Sequence, residues 1–334
     1  MPTRRTSSEL HELRDRVRAL AQAQCGVFRR TDLTAWGIEP TVALTMRRNG
    51  SWIRLHHGVY ADRDTVAAAT GPVERHALLA AATVAAIPGG VWLFGPSAAA
   101  VLGIPMDRRL LGPVHLVRPL GCDSRALRRR ITANERLPKA VIHVLDVPDH
   151  VLSHESGLPI VGRDLAACST AMLSEPDWAV ATLDAIAWQD PPALDRLAEV
   201  ADLWPRLSGA GVLRRALPHV RAGAQTPLES MSRVRLVRQG LPEPRLQVAL
   251  YDSDGLIGYV DMLFDELGVV GEADGEMKYS GREALVQEKW REDRIRAEGF
   301  GVTRWGWPDA MGSMRKVALR INAAAGQSRR RAAG

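Results

Sequence analysis

The chain has 334 residues, 46% of them hydrophobic and 25% charged, an ordinary globular composition whose length suits about two or three domains. Lysine and arginine outnumber aspartate and glutamate 44 to 38, a formal net charge of +6 that favours a polyanionic partner without naming one. The isolated Cys25, Cys122 and Cys168 argue against Cys-x-x-Cys zinc sites and a disulfide scaffold, and the N-terminus and the broken apolar run at 77–94 argue against a signal peptide or a membrane span; a cytoplasmic protein with no membrane partner is expected.

Residues 9–24 carry Leu10, Leu13, Val17 and Leu20 at the 3–4 spacing of one apolar helical face, closed by Gly26. Thr31 is placed to cap a short helix over 32–36 that Gly37 ends. Pro40 opens a third helix to Arg48, with Val42 and Met46 inward and Thr41, Thr45, Arg47, Arg48 and Asn49 outward. Segments 52–55 and 59–61, joined through His56-His57-Gly58, predict a hairpin in which both histidines are turn residues rather than metal ligands. This is the order of a winged helix-turn-helix: the third helix offers polar groups to the major groove, and basic side chains, Arg54 on the wing included, neutralise phosphates. The plainer alternative is a small helical module that packs against protein. The stretches GVFRRTDLTAWGI and TMRRNGSWIRLHHGVYA resemble the N-terminal domain of the AbiEi family antitoxins. That resemblance implies a DNA-binding regulator with a cognate toxin as a partner.

The middle of the chain predicts architecture and little chemistry. Helices are expected at 73–86, 97–102, 163–173, 179–188, 194–203 and 211–220, and strands at 90–94, 114–117 and 141–145. Arg125, Arg128, Arg129 and Arg130 form a basic segment, either a phosphate contact or a solvated surface. His143, His150 and His154 are spread over a strand and a loop, which argues against a shared metal site. No Ser-His-Asp set, glycine-rich phosphate loop or H-E-x-x-H motif occurs here. The likeness to AbiEi proteins continues through GLPIVGRDLAACS at 157–169.

The richest stretch is 225–307. Thr226 is placed to cap a helix, Pro227 suits its first turn, Glu229 sits three residues after the cap, and Gly240 and Pro242 end it. A strand is expected at 247–251. Valine-rich segments flanking Asp265-Glu266-Leu267-Gly268 then form a hairpin. With its tip at Glu266-Leu267, Asp261 faces Glu272, and directly opposed residues share a face with Cβ atoms roughly 5 Å apart. Asp274 joins that face, and Lys278 stands beside it. Like charges so close call for a proton or a cation, and Mg²⁺ takes oxygens of this kind. The alternative is a polar hairpin with unrelated, solvated acids. A charged helix over 282–298, closed by Gly299, and a strand over 301–307 follow. Residues 327–334 look like a disordered basic tail.

As an ordered set, Glu229 before GLPEP…LQV, Asp261, GEADG…KY, EKWRED and GFGVTRWGW resemble the nuclease-like domain related to very-short-patch-repair endonucleases, a branch of the PD-(D/E)XK superfamily. Two departures stand out: Val260 replaces the proline of the superfamily name, and Asp274 rather than lysine follows two after Glu272. The motif lysine is then Lys278, or Glu276-Met277-Lys278 serves as the E-x-K, with Glu272 preferred for its place opposite Asp261. The resemblance implies catalytic roles for Glu229, Asp261, Glu272 and Lys278, with Mg²⁺ held by Asp261 and Glu272 and its shell completed by Asp274 or Glu229.

The sequence therefore reads as an α+β protein: a winged helix at 1–62, a mixed middle segment at 63–222, a restriction-endonuclease-like domain at 223–326 and the tail at 327–334. The expected function is DNA binding joined to a metal-dependent endonuclease-like domain, in a defence or toxin–antitoxin setting. The alternative is a non-catalytic transcriptional regulator or antitoxin.

Overall fold

A computed structural model describes residues 6–87, 89–121, 140–154, 157–275 and 282–332. They form two compact units, Met1–Ser174 with Val200–Gly209, and Glu175–Glu199 with Ala210–Gly334. Residues 175–199 and 210–222, read from the sequence as part of a middle segment, group with the C-terminal unit. Among the described residues no helix is long and apolar enough to cross a membrane.

The first unit begins with α1 (Ser7–Gln22), capped by Thr6, whose hydroxyl accepts from the Glu9 N–H while the Glu9 carboxylate accepts from the Thr6 N–H at 2.6 Å. Strand β1 (Val27–Arg29) follows, then α2 (Arg30–Ala35), α3 (Val42–Arg48), β2 (Trp52–His56) and β3 (Val59–Asp62). The sheet order is β1-β3-β2, so the expected hairpin gains a third strand that three residues alone could not announce. The cap of α2 also differs from expectation: Thr31 lies inside the first turn, and Asp32 receives the Arg29 N–H at 2.8 Å. Val17, Phe28, Leu33, Met46 and Trp52 fill the core, with Phe28 edge-on to Trp52 at 4.8 Å. His56 is no turn residue: it ends β2 with its ring buried against Thr83 at 3.2 Å.

Helices α4 (Arg63–Ala68) and α5 (Pro72–Ala86) lead to β4 (Trp92–Leu93), α6 (Gly95–Val101), β5 (Val114–Pro119), β6 (Ala140–Leu145), β7 (Leu152–Ser153), β8 (Ile160–Val161) and α7 (Arg163–Leu173). The five strands take the order β6-β5-β4-β8-β7, with β5 parallel to β6 and β4 parallel to β8. His143 stacks on His115, the rings 3.0 Å apart from Nδ1 to Nε2, without His150 or His154. Burial, with the neighbouring His143 and His76, pushes His115 down to about 4. The arginines at 125 and 128–130 lie outside the described residues.

The second unit holds α8 (Pro176–Gln189), part of α9 (Ala193–Asp202), α10 (Ala210–Ala216), α11 (Pro227–Arg238), β9 (Arg245–Asp252), β10 (Gly255–Phe264), β11 (Val269–Ala273), α12 (Arg282–Ala297), β12 (Gly301–Trp305), α13 (Trp307–Gly312) and α14 (Met314–Ala332). Its sheet has the order β12-β11-β10-β9, an antiparallel meander with β12 added parallel to β11. One face packs Met262, Phe264, Val269 and Trp305 against Leu228, Leu236, Val317 and Ile321; the other packs Val260, Leu263 and Val270 against Ile295. Helices thus cover both faces. The segment expected as a disordered tail continues α14 through Ala332, since Gln, Ser, Arg and Ala all tolerate a helix.

One ion pair braces the first unit. Asp62 at the end of β3 takes Arg14 Nε at 2.7 Å and Nη2 at 2.8 Å, and also caps α4 through the Asp64 N–H at 2.9 Å. Burial opposes its ionisation, but the Arg14 and Asp64 hydrogen bonds outweigh it and hold the carboxyl below its ordinary 3.8. This contribution is therefore present above pH 3.8 and is lost as pH falls through the lowered folded value. Replacing Asp62 with Ala leaves the Arg14 guanidinium only its 2.8 Å contact with Asp64 and removes the cap, and is expected to cost about 2 kcal/mol. Denaturant unfolding at neutral pH checks this; an unchanged midpoint would show that the pair braces nothing.

Candidate functional site

Two surfaces carry the residues singled out by sequence. The first is the outer face of α3. Val42, Ala43 and Met46 are buried, so the helix turns Thr41, Leu44, Thr45 and Arg48 outward at 3–4 spacing, with Arg47 beside them. Arg54, across from Tyr60 on the wing, is exposed as well. A depression of about 300 Å³ lies between helix and wing, lined by Arg30, Pro40, Thr41, Leu44, Arg47 and Tyr60. Arg30 and Leu44 were not singled out by sequence; Leu44 is 46% exposed, which apolar periodicity alone does not foretell. Among the described residues Arg30, Arg47, Arg48 and Arg54 have no acidic partner, whereas Arg14, Arg18 and Arg29 of the same unit all do.

The second surface is an acid cluster in the C-terminal unit. Thr226 caps α11 as expected, and Glu229 is drawn inward at 3% exposure. Glu229 Oε2 accepts from Gln225 N at 2.9 Å and from Gln247 Nε2 at 3.1 Å, and its Oε1 from Thr226 Oγ1 at 2.9 Å. The hairpin register pairs Met262 with Gly271, so one step further brings Asp261 opposite Glu272. Asp261 Oδ2 accepts from Ala273 N at 2.8 Å and Oδ1 from Gln247 Nε2 at 3.4 Å. The acids are thus not solvated hairpin decoration: Glu229, Asp261 and Glu272 converge, and Asp274 adjoins them.

Three residues that sequence reasoning left without a role complete the cluster. Gln247 is bent into a positive φ of 49° and its amide joins Glu229 to Asp261. Arg291 reaches Glu272 Oε1 at 3.0 Å and Glu288 Oε1 at 3.1 Å. Arg304, level with Glu272 on the neighbouring strand, contacts Glu288 and lies 3.7 Å from Asp274 Oδ2. The signal for Arg291 and Arg304 was visible in EKWRED and GVTRW, but nothing local says which acid each cation meets. Lys278 and the competing Glu276 lie outside the described residues.

Burial raises Glu272 to about 7, Asp261 adding to the rise and Arg291 opposing it. Burial likewise raises Glu229, Asp261 and Asp274 above their ordinary values. Carboxylates are the donors Mg²⁺ prefers, but these are already engaged by donors of the chain. Among the described residues no group of three acids is placed to hold an ion, and the oxygens accept from amides, a hydroxyl and a guanidinium instead.

Comparison with known proteins bears on the first surface. A family model described as "Transcriptional regulator, AbiEi antitoxin" matches residues 15–61, from within α1 to the wing. The chain is also similar to two uncharacterized proteins of Mycobacterium tuberculosis, one from the CDC 1551 / Oshkosh strain and one from H37Rv. Each is 24% identical over 196 residues, covering 54% of this chain and 72% of the relative.

The raised Glu272 gives a signed pH effect. Its folded form keeps a proton that the unfolded chain releases near 4.5, so its contribution to stability falls as pH rises from 4.5 to about 7. Calorimetry is expected to show the C-terminal unit melting at a lower temperature at pH 8 than at pH 5, with a flatter dependence in Glu272→Gln. A variant as pH-dependent as the wild type would place the titration elsewhere.

Proposed function

We propose that the chain is a DNA-binding transcriptional regulator that contacts duplex DNA through α3 and the β2–β3 wing. The observation that carries this reading is the set of exposed, acid-free arginines, Arg30, Arg47, Arg48 and Arg54, on the segment that matches the regulator family. Thr41 and Thr45 supply short polar groups on the face that would enter the major groove, and the arginines supply phosphate contacts. The matched family's description as an antitoxin further suggests a cognate toxin as protein partner.

Salt dependence tests this. Each neutralised phosphate releases about 0.9 counterion, so affinity for a duplex is expected to fall steeply with salt. Replacing Arg47 and Arg48 together with Ala should weaken binding uniformly across sequences and reduce the salt slope by about 2, one for each lost phosphate contact. Both side chains are exposed, so the variant should keep its fold. Salt-independent binding, or a double variant that binds as the wild type does, would defeat the proposal.

Mg²⁺-dependent phosphodiester cleavage is the second reading, favoured by the convergence of Glu229, Asp261 and Glu272. It ranks second because the acids are already engaged. Nicking of supercoiled DNA by the full chain, lost in Asp261→Asn with DNA binding retained, would place it first. Equal nicking by both proteins would indicate a contaminant.

A further inference from the structure

The acid cluster poses an electrostatic problem that the chain meets from within. Carboxylates gathered away from water need protons, donors or cations, and an uncompensated one is strongly destabilising. Arg291 comes from α12 across β10, where Gly258 leaves room. A Cβ at Gly258 would lie 3.0 Å from Arg291 Nε, and its φ of +149° also suits glycine. The Arg291 Nη2 group donates to Tyr259 O at 2.7 Å and to Glu272 Oε1 at 3.0 Å. Its Nη1 meets Glu288 Oε1 at 3.1 Å, so one guanidinium joins two acids and a backbone carbonyl. Arg304 repeats the pattern from β12: it contacts Glu288 and lies 3.7 Å from Asp274 and 3.5 Å from Glu292. Its register partner on β11 is Glu272.

We propose that Arg291 and Arg304 are the resident cations of this cluster, guanidinium groups standing where a divalent ion would, so that the domain holds its carboxylates together without Mg²⁺ or Mn²⁺. Guanidinium suits the task. It stays charged at any working pH and spreads five donors in a plane, whereas Mg²⁺ demands octahedral oxygens and gives up water reluctantly. An ion between Asp261 and Glu272 would have to displace Arg291 or sit beside its charge. The inference is independent of DNA binding by the winged helix.

The test uses the full chain and Mn²⁺ alone, followed by the loss of the free-ion electron paramagnetic resonance signal, with circular dichroism as the check on folding. The wild type is expected to take up no Mn²⁺ at this cluster. Arg291→Gln removes the cation and is expected to bind Mn²⁺ at least about tenfold more tightly than the wild type, as removal of a nearby like charge dictates. Adding Asp261→Asn should abolish that gain. Arg291→Lys keeps a positive charge and should behave as the wild type does. Uptake of one Mn²⁺ by the wild type, lost in Asp261→Asn, overturns the proposal, and so does a folded Arg291→Gln chain with no gain in Mn²⁺ binding. Should Arg291→Gln fail to fold, the double variant with Glu272→Gln decides. Restored folding supports the pairing of charge with charge, and continued failure assigns Arg291 to its other contacts and overturns it.

Discussion

A carboxylate can be taken out of water only if something replaces the water, and the C-terminal unit is built around that constraint. Glu229 and Glu272 are 3% and 7% exposed, and each is given N–H donors by a different element. Glu229 sits at the N-terminus of α11, where orphan N–H groups and the helix dipole favour negative charge. Asp261 borrows a backbone N–H from β11, and Glu272 takes a guanidinium from α12. Burial still outweighs these partners, which is why all three carboxyls rise rather than fall.

The backbone bends to serve the same constraint. Val260 and Met262, two apart and so expected on one face, belong to opposite cores, as do Leu246 and Val248 on the partner strand. The alternation of faces breaks between them, at Asp261 and Gln247, with the pairing register unchanged, and Gln247 takes its positive φ there. Gly271 solves a second crowding problem on the other side of the hairpin, since a Cβ there would lie 2.6 Å from the Trp305 ring.

How much of this was legible depends on the range of each interaction. The helix cap at Thr226, the facing of Asp261 and Glu272, and the outward face of α3 rest on spacings of a few residues, and sequence periodicity reports such spacings directly. Strand β1 was not legible because three residues hold no period, and it becomes a strand only by pairing with Val59 to Ala61 far along the chain. His56 was misread for the same reason, its partner Thr83 being 27 residues away. The cations at the acid cluster were in view as residue types, but Arg291 and Glu272 are 19 residues apart on different elements. No local rule pairs them.

The departure at Asp274 makes sense once β12 is in place. A lysine two residues after Glu272 would bring a cation to this face from the same strand, at i+2. Here that position is an acid, and the positive charge arrives from the next strand. Arg304 lies level with Glu272 in the parallel β11–β12 register and within 3.7 Å of Asp274. Asp274 in turn donates its N–H to Trp305 O at 2.9 Å, which carries the strand pairing past the end of β11. Moving the cation from the strand to its neighbour changes its chemistry as well as its origin. Lysine is a compact ammonium on a flexible stem whose proton can be drawn off when it is buried. The Arg304 guanidinium is spread among Glu288, Asp274 and Glu292 and does not give up its proton at any working pH. It can hold acids together, but it cannot serve as a base for an attacking water. With Arg291 on Glu272, the described part of the cluster draws its positive charge from two neighbouring elements, α12 and β12.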